Sequence, residues 1–374
     1  MKTKVQLIII LSTLVLFTAM GCKGNKADET FDASLPMDLN QSEEVEKDVG
    51  EKSDVDIEID IVERDLKDDI DLSLEPNEAG DVMILMYHNI GEEEAEWTRT
   101  PDNLRKDLKI LYDKGYRAIS LKDYVNNNID IEAGTTPVVL TFDDGNENNF
   151  RIILDEEGEK IIDPDSAVGI LEKFKKDYPD FGTTATFFVF GNNPFRQKEY
   201  LEFKLSFLVE NGYDIGNHTI DHRSVKNIDD KETIQEVIGK QIKVIEDILP
   251  EYKLSTYALC YGERPSNENL EMYLEEGIYD GTSYKNVAIL NVGWNPAPSP
   301  ITSKFNPLSL PRIRASEMKV DNVGLYNWLE HFEKNPQKRY ISDGVKEIIT
   351  IPEFMADLID LEKIGEKELY IYEK

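Results

Sequence analysis

Two neighbouring carboxylates, Asp143 and Asp144, close the apolar run Val138-Val139-Leu140-Thr141-Phe142. Two of the chain's four histidines, His218 and His222, stand four residues apart behind a second apolar stretch, Tyr213-Asp214-Ile215-Gly216. Adjacent carboxylates at the end of a buried strand repel each other unless something cationic neutralises them. One aspartate and two histidines make a three-ligand set for a divalent metal, with a position left open for water or substrate. The second aspartate is then free to take a proton. The alternative, carboxylates capping a helix and histidines on the surface, stays open at this point.

The elements that must position these groups alternate. Asp81 to His88 reads as an apolar strand, Leu104 to Lys114 as a helix stopped by Gly115, and Tyr116 to Ser120 as a short strand. Leu121 to Asn127 is helical, and Pro137 to Phe142, closed by Gly145, is a core strand. Further pairs follow: helix Pro164 to Lys176 with strand Thr184 to Phe190, helix Tyr200 to Glu210 with strand Asp214 to Gly216, and helix Lys231 to Leu249 with strand Thr256 to Tyr261. Strands alternating with helices predict an α/β domain with a mainly parallel sheet or barrel, whose reactive groups sit at the carboxyl ends of strands. Arg339 to Gly344 followed by Ile348 to Pro352 reads as strand-turn-strand.

The chain has 374 residues, with 42 basic and 74 acidic side chains and a net charge of −32. That balance argues against nucleic acid, whose phosphates need Lys and Arg partners. Residues 1–21 have the pattern of an export signal: a basic start, an apolar run from Val5 to Met20, and Ala19-Met20-Gly21 before Cys22. The run is short for a membrane span. The cysteine after Gly21 resembles a bacterial lipoprotein cleavage site, which would make lipidated Cys22 the membrane anchor. Only Cys260 then remains, and no intrachain disulfide is possible. Residues 22–80 are dense in Asp and Glu, a composition that predicts a disordered acidic tether. The folded domain is expected over residues 81–374.

Thr141-Phe142-Asp143-Asp144-Gly145 and His218-Thr219-Ile220-Asp221-His222 resemble the first two motifs of the polysaccharide deacetylases, the NodB-homology domain of carbohydrate esterase family 4. Leu85-Met86-Tyr87-His88 and Ala185-Thr186-Phe187-Phe188-Val189 extend the resemblance. It implies a distorted (β/α) barrel of NodB-homology type with an open groove, a divalent metal, and hydrolysis of N-acetyl, sometimes O-acetyl, groups on a glycan. It also implies that Asp143 is the general base and that Asp144, His218 and His222 hold the metal. Zinc is the default ion for such a set, with Co2+ or Ni2+ possible. Tyr257-Ala258-Leu259-Cys260-Tyr261-Gly262 resembles the third motif, with Cys260 where proline is usual. Tyr261 is the candidate groove wall and oxyanion N–H donor, and Cys260 reads as a small buried hydrophobe. Leu310-Pro311-Arg312-Ile313-Arg314 resembles a late strand whose arginine orients the catalytic aspartate. Arg312 is chosen for that role, with one arginine inward and one outward as an open arrangement. Asp280 and Trp294 fall where a fourth motif would supply an aspartate and a tryptophan.

The departure is the last motif, a histidine acting as acid toward the leaving amine. His331 is the only histidine beyond His222 and sits in a helical-looking stretch, so it reads as a solvated or capping residue. His88 is expected to give a supporting hydrogen bond near the site rather than a third ligand. The leading expectation is therefore a monomeric, membrane-anchored surface lipoprotein that removes N-acetyl groups from a cell-envelope or extracellular glycan. The alternatives are a catalytically weak or silent glycan-binding lipoprotein and an O-acetyl esterase on a xylan-like polymer.

Overall fold

The computed structural model describes residues 65–374. The expected export signal, Cys22 and most of the expected acidic tether lie outside the described residues. The packed chain reaches back past Asp81. Leu66–Asp69 and Leu72–Leu74 are 3-10 turns capped by Asp65 and Asp71, and Asn77, Glu78 and Ala79 are buried.

The core is a parallel sheet built from β1 (Met83–Tyr87), β2 (Tyr116–Ala118), β3 (Thr136–Phe142), β4 (Thr186–Val189), β5 (Asp214–Asn217), β6 (Thr256–Ala258), β7 (Ala288–Leu290) and β8 (Ile313–Arg314). Hydrogen-bonded neighbours run β7-β6-β5-β4-β3-β1-β8, and β2 pairs with the first half of β3, below β4 on the same edge. Leu290 also bridges Leu310 in parallel, and Leu310 N–H donates to Ile289 O at 2.9 Å. The extended stretch that leads into β8 therefore meets β7 on one side while β8 meets β1 on the other. The sheet curls back onto itself as a distorted barrel, as the alternation of elements predicts.

Because side chains of a strand alternate between faces, each strand feeds two cores. Met83, Leu85, Tyr87, Val138, Leu140, Phe142 and Ile313 pack outward under the helices. Val82, Ile84, Val139, Phe188, Ala258, Leu290 and Leu310 fill the barrel interior. A strand buried on both faces reads as a continuous apolar run, which explains the unbroken Val138 to Phe142. The outer helices are α1 (Pro101–Asp113), α2 (Leu121–Val125), α3 (Ala167–Asp177), α4 (Leu201–Glu210), α5 (Lys231–Glu246) and α6 (Leu325–Lys334). Thr100, Ser120, Ser166 and Asp230 each accept a backbone N–H at the start of a helix, which fixes where α1, α2, α3 and α5 begin.

The C-terminal tail differs from the strand-turn-strand expectation. Arg339 and Ile341 only bridge Asp81 and Asn77, whereas β9 (Ile348–Pro352) pairs in parallel with β10 (Glu368–Tyr372). β10 is short and half-exposed, so its sequence carries little of the apolar signal that marks a core strand.

Candidate active site

The inward parity of the strands delivers the site. Val139, Thr141 and Asp143 share one face of β3, and Leu310, Arg312 and Arg314 share one face of the closing stretch. The open arrangement of one arginine inward and one outward is thus corrected. Residues two apart on a strand point the same way, so the two arginines occupy successive levels of one face, with Ile313 in the outer core.

Arg312 is fully buried and grips Asp143 with two parallel bonds, Nη1 to Oδ1 and Nη2 to Oδ2, each 2.7 Å. Its Nε donates to Asn291 O at 2.9 Å, and Nη1 also reaches Thr141 Oγ1 at 3.2 Å. Thr141 Oγ1 in turn donates to Leu85 O at 2.8 Å, which ties the arginine to β1. Burial alone would push the Asp143 carboxyl up. The guanidinium of Arg312 and the nearby His218 outweigh it and hold the group below the usual carboxylate range.

Asp144 points the other way. Its Oδ1 lies 3.2 Å from His222 Nε2 and 3.6 Å from His218 Nε2. Metal–nitrogen and metal–oxygen bonds of about 2.0–2.2 Å put neighbouring tetrahedral ligands roughly 3.3–3.5 Å apart, so this triangle has the size of one face of a metal site. The same Oδ1 is buried without a hydrogen-bond partner, which suits it to ligate a cation. Each imidazole is oriented from behind. His218 Nδ1 sits 2.8 Å from Ala258 O, and His222 Nδ1 sits 3.1 Å from the Tyr261 hydroxyl. A proton on Nδ1 of His218 leaves its Nε2 lone pair for the metal. Cys260 Sγ also lies within 4.8 Å of ring nitrogens of both histidines. Its contacts are with the His218 carbonyl and the Thr219 hydroxyl, at 3.3 and 3.5 Å, so it braces the histidine segment. Asp144 is the better third ligand because both Nε2 atoms face it.

The backbone is wound tightly here. Asp144, Thr219, His222 and Tyr261 all have positive φ, an arrangement that persists only when the surroundings fix it and that clusters at functional sites. Gly216 is needed because a Cβ there would fall 2.3 Å from the Phe188 ring. Gly145 has φ of +53°, and its Cβ would meet Val189 at 2.9 Å. Both glycines let neighbouring strands close up under the histidines and the carboxylates.

His88 ends β1 on the inner face, with Nε2 3.8 Å from Asp143 Oδ2. Burial lowers its pKa against the pull of Asp143 and Asp144. It stands beside Asp143 and within the electrostatic reach of Asp144 and His218, closer to the chemistry than the supporting hydrogen bond the sequence predicts. The signal was available: His88 is in register one residue past Tyr87, which pairs with Phe142, so it stands level with Asp143. His331 lies on α6 against Trp328 and Phe332, and its carbonyl accepts from Asn335. Asp280 pairs with Lys243 at an exposed turn and is not gathered with these residues. Trp294 is 60% exposed and lines a cavity of about 490 Å³ with Met86, Trp97 and Arg314. Tyr261, also exposed, stands beside His222 with ring centroids 4.9 Å apart.

The architecture is a curled parallel barrel with carboxylates and imidazoles converging at the carboxyl ends of its strands. Residues 130–276 match the family model for polysaccharide deacetylase, a span that includes both aspartates, both histidines and Tyr261. The part of the chain that holds these residues is therefore similar to polysaccharide deacetylase domains. No curated protein matches the chain. Among solved structures, deacetylase PplD from Streptococcus pyogenes, in complex with acetate, is 18% identical, with 67% of this chain and 97% of that chain covered and a TM-score of 0.47. A polysaccharide deacetylase from Bacillus cereus is 18% identical over 67% of this chain and 68% of that one, TM-score 0.48. IcaB from Ammonifex degensii is 15% identical over 66% and 97%, TM-score 0.46.

Proposed function

We infer that the protein is a metal-dependent hydrolase that removes N-acetyl groups from a cell-envelope or extracellular glycan, working outside the cell on a lipid anchor at Cys22. The observation that carries this reading is the division of labour between adjacent carboxylates. Asp143 is clamped by Arg312, and Asp144 Oδ1 is left unpaired in front of two imidazoles.

Asp144, His218 and His222 would hold the ion, with Zn2+ the first candidate and Co2+ or Ni2+ possible. A divalent cation held there would supply Lewis acidity toward the acetyl carbonyl and toward water at neutral pH. Asp143, kept ionised and fixed in direction by Arg312, takes the proton from the attacking water. The Tyr261 N–H donates to the developing oxyanion, and the Tyr261 ring forms one wall of the groove. His88, with Nε2 3.8 Å from Asp143 Oδ2, is the candidate acid: in its protonated form it would give a proton to the departing amine nitrogen, the role left vacant in the C-terminal part of the sequence.

The test is acetate release from acetylated chito-oligosaccharides and peptidoglycan by the full chain, with Asp143→Asn and His218→Ala as controls. Release by the wild type that falls at least a hundredfold in both variants is expected. Equal release by all three would overturn the reading.

A further inference from the structure

The segment after β4, Phe190 to Gln197, forms the rim of the site on the His222 side. The Phe190 ring packs against His222, with centroids 5.2 Å apart, and the Arg196 guanidinium lies over the outer face of Phe190, 4.9 Å from its centroid. Arg196 is exposed and, among the described residues, has no carboxylate within ion-pair distance. That is unusual in a chain with a net charge of −32. Arg105, Arg117, Arg151, Arg223, Arg264 and Arg314 each have an acidic partner, and Arg339 rests on Tyr116.

The backbone is held at a cost to present this side chain. Phe195 and Arg196 are consecutive non-glycine residues with φ of 60° and 63°, a conformation that persists only where neighbours impose it. The neighbours are present. Phe195 is buried, and its N–H donates to Gly145 O at 2.7 Å, one residue after the carboxylate pair. The Phe195 carbonyl accepts from buried Lys204 at 2.9 Å, and the Arg196 carbonyl accepts from the Asn193 side chain. A free guanidinium is thereby tied to the catalytic turn. Arginine's planar fork suits carboxylate and phosphate oxygens.

We propose that Arg196 is a specificity-determining residue that binds an anionic substituent, a carboxylate or a phosphate, on the glycan next to the acetyl group being removed. This rests on the deacetylase reading above for the nature of the ligand. The juxtaposition that carries it is an unpaired arginine stacked on Phe190, which itself packs on a proposed metal ligand.

The experiment measures binding and turnover separately, with the full chain. Calorimetry compares a peptide-free N-acetylglucosamine–N-acetylmuramic acid tetrasaccharide, whose lactyl groups are carboxylates, with the same molecule converted to methyl amides. A second pair compares an N-acetylglucosamine tetramer with and without 6-phosphates. Wild type is expected to bind the charged member of at least one pair roughly fivefold more tightly at low salt, the scale of an exposed charge-assisted contact, with the preference shrinking as salt rises. The favoured pair identifies the anion. Arg196→Gln should abolish the preference while leaving neutral oligosaccharide binding and thermal stability unchanged, and Arg196→Lys should restore part of it. Equal binding of charged and neutral members by wild type, or a preference that survives in Arg196→Gln, overturns the proposal. Acetate release is read in parallel. Its absence from every oligosaccharide overturns the deacetylase reading, whereas the binding comparison decides on Arg196 alone.

Discussion

Arg312 and Asp143 face each other through two parallel hydrogen bonds of 2.7 Å inside the barrel, with both side chains essentially buried. A buried pair of this kind is costly to break, because the survivor is left as an uncompensated charge. Arg312→Met should therefore lower stability by roughly 3–5 kcal/mol, read from urea denaturation, and lower acetate release by at least a hundredfold. The double variant Arg312→Met/Asp143→Leu should recover much of the stability and none of the activity. Recovery of neither would show that the pair is not the cause.

His88 can be separated from the base by changing the leaving group. An amine leaves poorly without a proton, whereas a phenolate leaves readily without one. His88→Gln should cut turnover of N-acetyl oligosaccharides by about a hundredfold or more and change hydrolysis of an aryl acetate by only a few-fold. Equal losses on both would assign His88 to holding Asp143 in place.

The unpaired Asp144 oxygen and the two Nε2 atoms predict one divalent ion per chain. Elemental analysis of protein purified without chelator should give close to one equivalent. His218→Ala and Asp144→Ala should each lose most of it, and Cys260→Ser should keep it. A Cys260→Ser protein that no longer holds metal would move the third ligand from Asp144 to the thiol.

A second buried acid, far from this chemistry in sequence, makes stability depend on pH. Glu78 is pushed up to about 8 by burial and then by the neighbouring Asp343, against hydrogen bonds from Tyr340 and Thr350 and the charge of Lys367. A carboxyl whose folded pKa lies above its unfolded value binds more protons when folded. Its stabilisation is full below about 4.5 and is lost as pH rises toward 8. The melting temperature should fall from pH 5 to pH 8.5, and Glu78→Gln should flatten that slope. An unchanged slope in the variant would place the titration elsewhere.

The two motifs were legible because each ends a strand buried on both faces, where composition, glycine stops and chemistry coincide. Asp143, Asp144, His218 and His222 needed no tertiary information to be singled out. Arg312 needed some: its pairing follows from closure of the barrel across Leu290 and Leu310, which no local pattern encodes. Its relation to Arg314 was recoverable from the two-residue period alone. His88 was legible only once β1 was set beside β3 in register. The rim at Arg196 could not be read at all, since its significance lies in a missing carboxylate partner, and a sequence does not show which charges fail to meet. The packed start at Asn77 to Ala79 was hidden by the acidity around it, because buried Glu78 looks like one more tether residue until its partners Tyr340 and Thr350 are in place.

The closing stretch from Leu310 to Arg314 also dictates an order of assembly. Asp143 and its guanidinium partner are 169 residues apart in the chain, so the carboxylate lacks its bidentate partner until the final staves of the cask are fitted. A half-built protein, with β1 to β5 in place and the last stretch still loose, would have to admit water or protonate Asp143. Contacts this distant form late and slowly. The orientation of Asp143 and completion of the architecture thus arrive in the same step.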